Sequence, residues 1–314
     1  MPACIAALRA QTFRDFEVIV VDNASTDGSR EWLAGQPDVR VIYNETNAGF
    51  AAACNQGIRA SDAPFVALLN DDTRAEPQWL AALVEAACAP THLHPASPCE
   101  KGVGSCASLL LFAGRPDVVQ GAGIAVDRAA IAWDRLRGWP ANSAAASRAC
   151  EVFGASGGAA LYRRAMLDEI GLFDERFFAY LEDVDLAWRA QRAGWRCRYV
   201  PQARVLHHAS ATSVEGSAFK NRLLGRNKVW LAVKNAPVRH WPIIAFYDLA
   251  AVLYAGLRRG EWSHLAGRWE GIRRAPRFTR PRAGPRCSPP FAPLVPPWRV
   301  PGRMDAGPSA AAVG

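Results

Sequence analysis

The stretch Phe65-Val66-Ala67-Leu68-Leu69-Asn70-Asp71-Asp72 joins a short apolar run to two consecutive acidic residues. A run that is apolar at every position is typical of a buried strand in a parallel sheet that helices cover on both faces. Ligands of such sheets bind at the carboxyl ends of the strands, where Asp71 and Asp72 fall. Adjacent buried carboxylates repel each other, so a cation or a polar ligand would explain them. An Asp-rich turn before a helix over residues 77–87 explains the pattern equally well.

The segments around this stretch alternate between strand and helix patterns. Strands are predicted over residues 16–21, 39–43 and 65–69, and helices over residues 3–11, 30–34 and 51–60. This alternation predicts an α/β fold with a doubly wound, mixed and mostly parallel sheet flanked by helices.

The second half of the chain has weaker patterns. Residues 88–108 are predicted to be a loop, residues 109–112 a strand, and residues 153–162 a strand whose glycines allow close approach to the backbone. Residues 181–193 have helical spacing, and residues 197–200 are predicted to form an edge strand.

The charge is divided unevenly along the chain. The net charge is +8, yet residues 1–214 contain 20 Lys and Arg against 24 Asp and Glu, while residues 215–314 contain 17 against 5. We therefore predict a catalytic part over residues 1–214, a basic helical extension over 215–275 and a disordered, Pro- and Arg-rich tail over 276–314. Within the extension, Trp241–Leu257 is apolar with Trp and Tyr near its ends. That pattern is typical of a helix on an anionic membrane surface, although an ordinary core helix fits it as well.

Several classes of protein are disfavoured by the sequence. There is no apolar run of about 18 residues, no export signal and no Cys-x-x-Cys pair among the eight cysteines, so we expect a cytoplasmic protein with reduced thiols. The Walker A motif and a Gly-x-Gly-x-x-Gly motif after a strand are missing, which argues against an ATPase and an NAD dehydrogenase. The basic region lacks stacking aromatics on a sheet, so we expect no nucleic-acid partner.

The acidic residues at the ends of predicted elements suit two kinds of chemistry. A divalent cation on a diphosphate needs only one or two carboxylates, because phosphates and water supply the other oxygens, and Asp71-Asp72 suits that task. A partly buried carboxylate at a helix start suits general base catalysis on a hydroxyl. Asp183, flanked by Leu181 and Val184, is such a group, and helix capping by Asp183 or Asp185 is the alternative.

Six motifs occur in the order seen in family 2 glycosyltransferases. They are Val20 to Ser29, Asn47-Ala48-Gly49-Phe50 with Asn55-Gln56-Gly57, Leu68 to Asp72, Gly157-Gly158-Ala159, Glu182-Asp183-Val184-Asp185 and His207. The pattern covers about residues 3–275 and is most similar to the bacterial rhamnosyltransferase-like branch of that family.

This resemblance implies a GT-A fold and inverting transfer of rhamnose or another hexose from a dTDP- or UDP-sugar. The acceptor would be a hydroxyl of a glycan or of a polyprenyl-linked cell-envelope intermediate at the inner face of the membrane. The residues implied to bind the nucleotide-sugar are Asp22, Ser25, Asn47, Gly49 and Asp71. Asp72 and His207 are implied to bind Mg²⁺ or Mn²⁺, with His208 as a competitor for the role of His207. Asp183 is implied to be the catalytic base, and Glu182, Gly157 and Gly158 are implied to bind the acceptor. Arg226-Asn227 resembles a late pair that faces phosphate, although a solvated basic helix explains it equally well.

One departure from the family pattern concerns the first strand. Family members begin with a strand before the opening helix, whereas here Met1 falls at that helix, so we expect a central strand to be missing. A weakly active or inactive nucleotide-sugar-binding protein at the membrane surface is therefore an alternative. A nucleotidyltransferase would need a glycine-rich basic loop near the N-terminus, and the sequence has none.

Overall fold

The computed structural model describes residues 1–89, 101–208, 217–260, 262–275, 287 and 289–294. The helices are α1 Pro2–Arg9, α2 Ser29–Ala34, α3 Phe50–Arg59, α4 Trp79–Cys88, α5 Ala144–Ser147, α6 Arg164–Ile170, α7 Glu182–Arg192, α8 Ala218–Asn235, α9 Trp241–Arg259 and α10 Ser263–Arg274. The strands are β1 Val18–Asp22, β2 Val39–Tyr43, β3 Phe65–Leu69, β4 Thr73–Ala75, β5 Gly102–Phe112, β6 Arg115–Ala122, β7 Ile124–Val126, β8 Ala132–Asp134, β9 Cys150–Val152, β10 Ala159–Arg163 and β11 Trp195–His207.

The main sheet has seven strands and mixed directions. Its order is β3-β10-β5-β11-β4, with β6 paired to β5 and β9 paired to β11. Strands β5 and β11 pair in parallel, and the other pairs of this sheet are antiparallel. The predicted α/β class and mixed sheet are confirmed, and the share of parallel pairs is smaller than predicted.

Strands β1 and β2 form a separate parallel sheet of two strands. Strand β1 pairs only with β2, and β3 pairs only with β10, so no strand among the described residues joins the two sheets. The apolar side chains of β1 and β3 are consequently half-buried or exposed rather than buried. This boundary is where the resemblance led us to expect a missing strand.

Helices cover both faces of the main sheet. Helix α4 packs its Trp79, Leu80 and Leu83 against β5 and β11 on one face. On the other face, α3, α6 and α7 contribute Ile58, Met166 and Leu186 to a second core. These two layers orient the carboxyl end of β3 and the start of α7, which carry the acidic motifs.

Residues 102–108 are a buried strand, so the predicted loop over residues 88–108 is wrong in that part. The small residues of this segment are typical of a loop, but here they are needed because neighbouring side chains pack closely against the strand. A side chain on Gly104 would lie 2.5 Å from Met166 Sδ and 2.9 Å from Trp195 Cβ. Residues 90–100 lie outside the described residues.

Two other strand predictions also need correction. Only residues 159–162 of the strand predicted over residues 153–162 are strand, as part of β10, because residues 154–158 turn between β10 and β9, which ends at Val152. The predicted edge strand over residues 197–200 is part of β11, which lies between β5 and β4 with β9 beside it. The pairing of β11 with β5 shifts in register between Val200 and Arg204. This irregularity interrupts the strand pattern in the sequence, so the full length of β11 was not predicted.

The C-terminal helices pack closely on each other. A side chain on Gly267 of α10 would clash with Arg222 O of α8, and one on Gly225 would meet His264 O at 2.5 Å. The predicted disordered tail is wrong for residues 289–294. Phe291 packs between Phe153 and Trp188, and the amide of Ala292 donates to Val126 O at 2.8 Å. The predicted boundary at residues 214–215 and the rest of the tail, apart from Cys287, lie outside the described residues.

Candidate active site

Two glycines join the acidic segments that follow β3 and begin α7. The amide of Asn70 donates to Gly158 O at 2.9 Å, and the amide of Gly157 donates to Asp183 Oδ2 at 3.1 Å. The amide of Val184 donates to Asp183 Oδ1 at 2.8 Å. We call Asp72, Asp134, Glu182 and Asp183 the carboxylate cluster. Its members come from three different elements or loops, namely the turn after β3, the end of β8 and the start of α7, so only the folded chain brings them together.

Asp72 faces His207 at the end of β11. The distance between Asp72 Oδ1 and His207 Nε2 is 3.1 Å, and each side chain is 15% exposed. On the other side of the ring, Gln120 Oε1 lies 3.0 Å from His207 Nδ1. An amide oxygen can only accept, so Nδ1 carries the hydrogen and, in the neutral ring, Nε2 has a free lone pair.

This arrangement fits a divalent cation. Asp72 Oδ1 is buried and has no hydrogen-bond donor among the described residues. Two acceptor atoms 3.1 Å apart repel each other unless a proton or a cation lies between them. No group of three or more His, Cys, Asp and Glu residues forms a metal cluster within the described part of the chain. A cation held here would therefore take its remaining ligands from a phosphate group or water. His208 is exposed, so the geometry favours His207 over its neighbour.

Glu182 and Asp183 begin α7, where the helix dipole favours negative charge. Glu182 is buried, and its Oε2 has no hydrogen-bond partner among the described residues. Burial, together with the charge of Asp183, raises the pKa of Glu182 well above its usual range. Burial also raises the pKa of Asp183, against the effect of the amides of Gly157 and Val184. A carboxylate with a raised pKa is a stronger base once it is ionised.

Asp134 and Gln120 are site residues that the sequence did not indicate. Asp134 lies against Gly121, whose added side chain would meet Asp134 Oδ1 at 3.4 Å. Burial raises the pKa of Asp134 to about 6, opposed by Arg137 and reinforced by Asp183. Neither residue belongs to a recognisable motif, so no sequence signal would have found them.

A strained loop precedes α7. Phe178, Tyr180 and Leu181 all have positive φ, between 66° and 70°, which is rare for residues other than glycine. The side-chain amide of Asn227 holds this loop by donating to the carbonyl oxygens of Phe177, Ala179 and Tyr180 at 2.7–3.0 Å. Its two hydrogens are shared among the three oxygens.

Arg226 supports the same loop and does not project into solvent. Its Nη2 donates to Phe177 O at 2.8 Å, and its Nε donates to Asn227 Oδ1 at 2.9 Å. Both residues are buried, so the interpretation of Arg226-Asn227 as a solvated helix face is wrong. Their hydrogen bonds go to backbone carbonyl groups next to Asp183.

Asp185, the last acid of the Glu182-Asp183-Val184-Asp185 motif, has a structural role. It is fully buried and accepts hydrogen bonds from Arg189, Lys234 and Asn235 at 2.7–2.9 Å. These contacts tie the start of α7 to the end of α8.

A second polar group lies at the carboxyl ends of β1 and β2. We call Asn23, Asn44, Asn47 and Gln56 the asparagine cluster. Asn23 Nδ2 donates to Asn47 Oδ1 at 2.9 Å, Asn44 Nδ2 donates to Asn23 Oδ1 at 3.1 Å, and Asn44 and Gln56 exchange two hydrogen bonds at 2.9 Å. The cluster holds its own shape and fixes the segment that leads into α3.

Asp22 lies beside this cluster, buried and paired with Arg30. Its carboxylate accepts from Arg30 Nε at 2.9 Å and from the amide of Ser25 at 3.2 Å. Burial alone would raise the pKa of Asp22, but these two partners outweigh it and lower the pKa below the usual range. Arg30 also donates to Asn44 O and lies over the ring of Tyr43.

The asparagine and carboxylate clusters meet at Gly49 and Phe50. Gly49 has φ +88°, and a side chain there would lie 2.5 Å from the ring and 2.7 Å from the carbonyl oxygen of Phe178. The ring of Phe50 would lie 3.0 Å from a side chain on Gly157. The structure therefore places Asp22, Ser25, Asn47 and Gly49 together, and it places Asp72, Gly157, Gly158, Glu182, Asp183 and His207 together. Asp71 is exposed beside Asp72.

Comparisons with known proteins agree with this architecture. The profile of Glycosyl transferase family 2 matches residues 1–100, and that of Glycosyl transferase family group 2 matches residues 65–231. The chain belongs to glycosyltransferase family 2 and is a nucleotide-sugar glycosyltransferase.

Within that family the chain resembles rhamnosyltransferases. It is 32% identical over 222 residues to the N-acetylglucosaminyl-diphospho-decaprenol L-rhamnosyltransferase of Mycobacterium tuberculosis. The matched segment covers 65% of this chain and 70% of the relative. The Pre-mycofactocin glycosyltransferase of the same organism is 30% identical over 199 residues, covering 62% of this chain and 38% of the relative.

A solved structure shares the fold. The crystal structure of GalNAc-T7 with UDP, GalNAc and Mn²⁺ matches with a TM-score of 0.59 and 16% identity, covering 79% of this chain and 47% of that chain. The predicted GT-A fold is confirmed.

Proposed function

We propose that this chain transfers rhamnose or a related hexose, with inversion, from a dTDP- or UDP-linked donor to a hydroxyl of a glycan or polyprenyl-diphosphate-linked acceptor. The observation that carries the proposal is that Asp72 and Asp183 lie on either side of Gly157-Gly158 in different environments. Asp72 has a buried oxygen without a donor, opposite His207, whereas Asp183 is aligned by two backbone amides. The first suits a cation on a diphosphate, and the second suits proton removal.

The residues divide the work as follows. Asp22, Ser25, Asn47 and Gly49 bind the nucleoside, and Asp71 lies near the ribose or the sugar. Asp72 and His207 would hold Mg²⁺ or Mn²⁺, and the bound cation would stabilise the charge of the leaving nucleoside diphosphate. Residues 1–214 form the catalytic part, and residues 215–275 form the helical extension.

The transfer itself is a single displacement. The acceptor hydroxyl is oriented by Glu182 and the backbone of Gly157-Gly158. Asp183 removes its proton as the oxygen attacks the anomeric carbon from the face opposite the leaving group. The new glycosidic bond forms as the bond to the diphosphate breaks, which inverts the configuration. Burial and the charge of Asp183 raise the pKa of Glu182, which favours its protonated form, and in that form Glu182 can donate a hydrogen bond to the acceptor.

Calorimetry tests the nucleotide site. We expect dTDP or UDP to bind the full chain in the presence of Mn²⁺, and to bind much more weakly without the metal. Asp72→Ala should remove the increase in nucleotide affinity that Mn²⁺ produces, because it deletes the carboxylate that faces His207. Asp62→Ala is the matched control, since Asp62 is exposed at the other end of β3. Equal binding by Asp72→Ala and wild type would contradict the metal site.

A transfer assay separates the enzyme from an inactive binding protein. The separation of β1 from β3 leaves half-exposed apolar strands, and that favours the binding protein as a second candidate. Sugar transfer from dTDP-rhamnose to a prenyl-diphosphate-linked N-acetylglucosamine would support the enzyme. Nucleotide binding without transfer to any hydroxyl acceptor would support the second candidate.

A further inference from the structure

The outer sides of α9 and α10 carry large apolar side chains that face solvent. On α9 these are Phe246, Leu249, Leu253 and Leu257, with Phe246, Leu249 and Leu257 exposed by 65%, 60% and 78%. The spacing of three, four and four residues places them along one stripe of the helix. On α10, Leu265, Trp269 and Ile272 form a matching stripe. Contiguous exposed apolar surface of this kind marks an interaction site.

The opposite sides of these helices are tied to the protein. Ile244 and Val252 of α9 and Gly267 and Gly271 of α10 are buried. Asp248, in the middle of α9, is bound by Lys228 of α8 at 3.0 Å and by two nitrogens of Arg268 of α10. The two stripes therefore point away from the body of the protein, because the inner faces are occupied.

The same ion pairs decide how α9 can meet a membrane. By length and mean hydropathy, Val238–Arg258 could cross a bilayer, although only 11% of it is buried within the protein. Spanning would carry Asp248 into hydrocarbon and separate it from Lys228 and Arg268, leaving buried charges without partners. A helix that keeps these contacts lies in the plane of the surface, with its outer stripe inserted.

The charge around the stripes matches an anionic surface. Residues 238–274, which carry the stripes, contain six Arg against three Asp and Glu, a net charge of +3. Two of the acids, Asp248 and Glu270, already bind cations from within the helical group. Two copies of this net-positive surface would repel each other, whereas an anionic surface attracts it, so an anionic surface is the better occupant.

A basic cavity opens at the start of α9. It has a volume of about 540 Å³ and is lined by Arg128, Arg239 and His240 together with Ile243, Pro289, Phe291 and Leu294. The lining combines two arginines with apolar walls and contains no acid. His240 Nδ1 is buried there without a hydrogen-bond partner among the described residues. Arginine guanidinium groups bind phosphate well, and an acyl chain suits the apolar walls.

We propose that α9, α10 and this cavity form a docking surface for an anionic phospholipid bilayer, on which α9 lies flat. Phe246, Leu249, Leu257 and Trp269 insert between the headgroups, while Arg128 and Arg239 bind lipid phosphate. This surface lies on the helical extension and does not depend on the sugar-transfer proposal.

Vesicle co-sedimentation of the full chain tests the docking surface. Wild type should pellet with vesicles that contain phosphatidylglycerol, remain soluble with pure phosphatidylcholine, and dissociate as salt rises. The triple variant Phe246→Ser, Leu249→Ser, Leu257→Ser and the double variant Arg128→Glu, Arg239→Glu should each bind at least tenfold more weakly. Because all the changed side chains face solvent or an open cavity, these variants should fold, and circular dichroism checks this.

Trp139→Ser is the matched control for Phe246→Ser, because Trp139 is 45% exposed but far along the chain from α9. The control should bind like wild type. Binding of the triple variant at wild-type strength, equal binding to both vesicle types, or a wild-type dimer that the triple variant dissociates would each overturn the proposal. Alkaline carbonate should release the bound protein, and retention would contradict the flat orientation of α9.

Discussion

The asparagine cluster and the carboxylate cluster adjoin each other but are stabilised in opposite ways. In the asparagine cluster each amide finds its partners within residues 23–56, and all the bonds join side chains to one another or to nearby backbone. In the carboxylate cluster the partners are distant in sequence, and Asp72 Oδ1 and Glu182 Oε2 have none among the described residues. The first cluster holds its own shape and leaves the exposed amide nitrogen of Asn47 for a ligand, whereas the second leaves buried carboxylate oxygens for one.

The largest effect should come from Asp183. Asp183→Asn keeps the shape of the side chain but removes the base, so we expect transfer to fall by about 10²–10⁴-fold. Because the pKa of Asp183 is raised, the wild-type rate should decline as the pH falls through that pKa and the carboxylate becomes protonated. Measured pH profiles of kcat/KM check both points. A variant that retains wild-type transfer would remove Asp183 from the mechanism.

The contact between the two clusters depends on Gly49. Gly49→Ala introduces a methyl group against Phe178 at a positive φ, and we expect a loss of about 3 kcal/mol in the free energy of unfolding. Gly28→Ala is the matched control, because Gly28 also has a positive φ but nothing lies within 4 Å of an added side chain. It should cost about 1 kcal/mol, from backbone strain alone. Urea denaturation compares the two, and equal losses would mean that the Phe178 contact is unimportant.

The strained loop before α7 can be loosened from α8. Asn227→Ala leaves the carbonyl oxygens of Ala179 and Tyr180 without their side-chain donor, whereas Phe177 O keeps the bond from Arg226, and the loss should cost about 2 kcal/mol of stability. We also expect kcat to fall more than KM changes, because Asp183 follows directly from this loop.

Asn235→Ala provides the comparison on the same helix. Asn235 bonds Asp185 and not the loop, so that variant should lose stability with a smaller change in kcat. If both variants lowered kcat equally, the loop contacts would have no special role in positioning Asp183.

The smallest effect concerns the buried Glu182. Its folded-state pKa lies above the ordinary value of 4.5, so the folded protein keeps a proton that the unfolded chain releases. Stability should therefore decrease as the pH rises from 4.5 toward the folded-state pKa. Glu182→Gln lacks this titration, so it should match wild type at low pH and become the more stable of the two proteins as the pH rises. Melting curves across pH test this, and parallel curves would contradict a buried, protonated Glu182.

The alternation of strands and helices up to β3 was readable from the sequence because each element there has one apolar face and clear turn residues. The elements after β3 were harder to predict, because close packing requires residues there that are untypical of strands. Gly102, Gly104 and Ser105 look like loop residues, but they form a buried strand because Met166 and Trp195 leave no room for larger side chains. The apolar character of β3 predicted burial, yet its side chains are half-buried or exposed because, among the described residues, a strand pairs with only one of its edges.

The sequence by itself determined the acidic motifs, the order in which they occur and the apolar stripe of α9, since each is a local pattern of residue types. Only the tertiary structure decided which acid has which environment. Asp185 became a structural anchor because Lys234 and Asn235 of α8 reach it, while Asp183 stayed accessible beside Gly157. Strand pairing brings Gln120 and Asp134 into the site. The electrostatic effect of residues so distant in sequence cannot be predicted from the residues next to each acid.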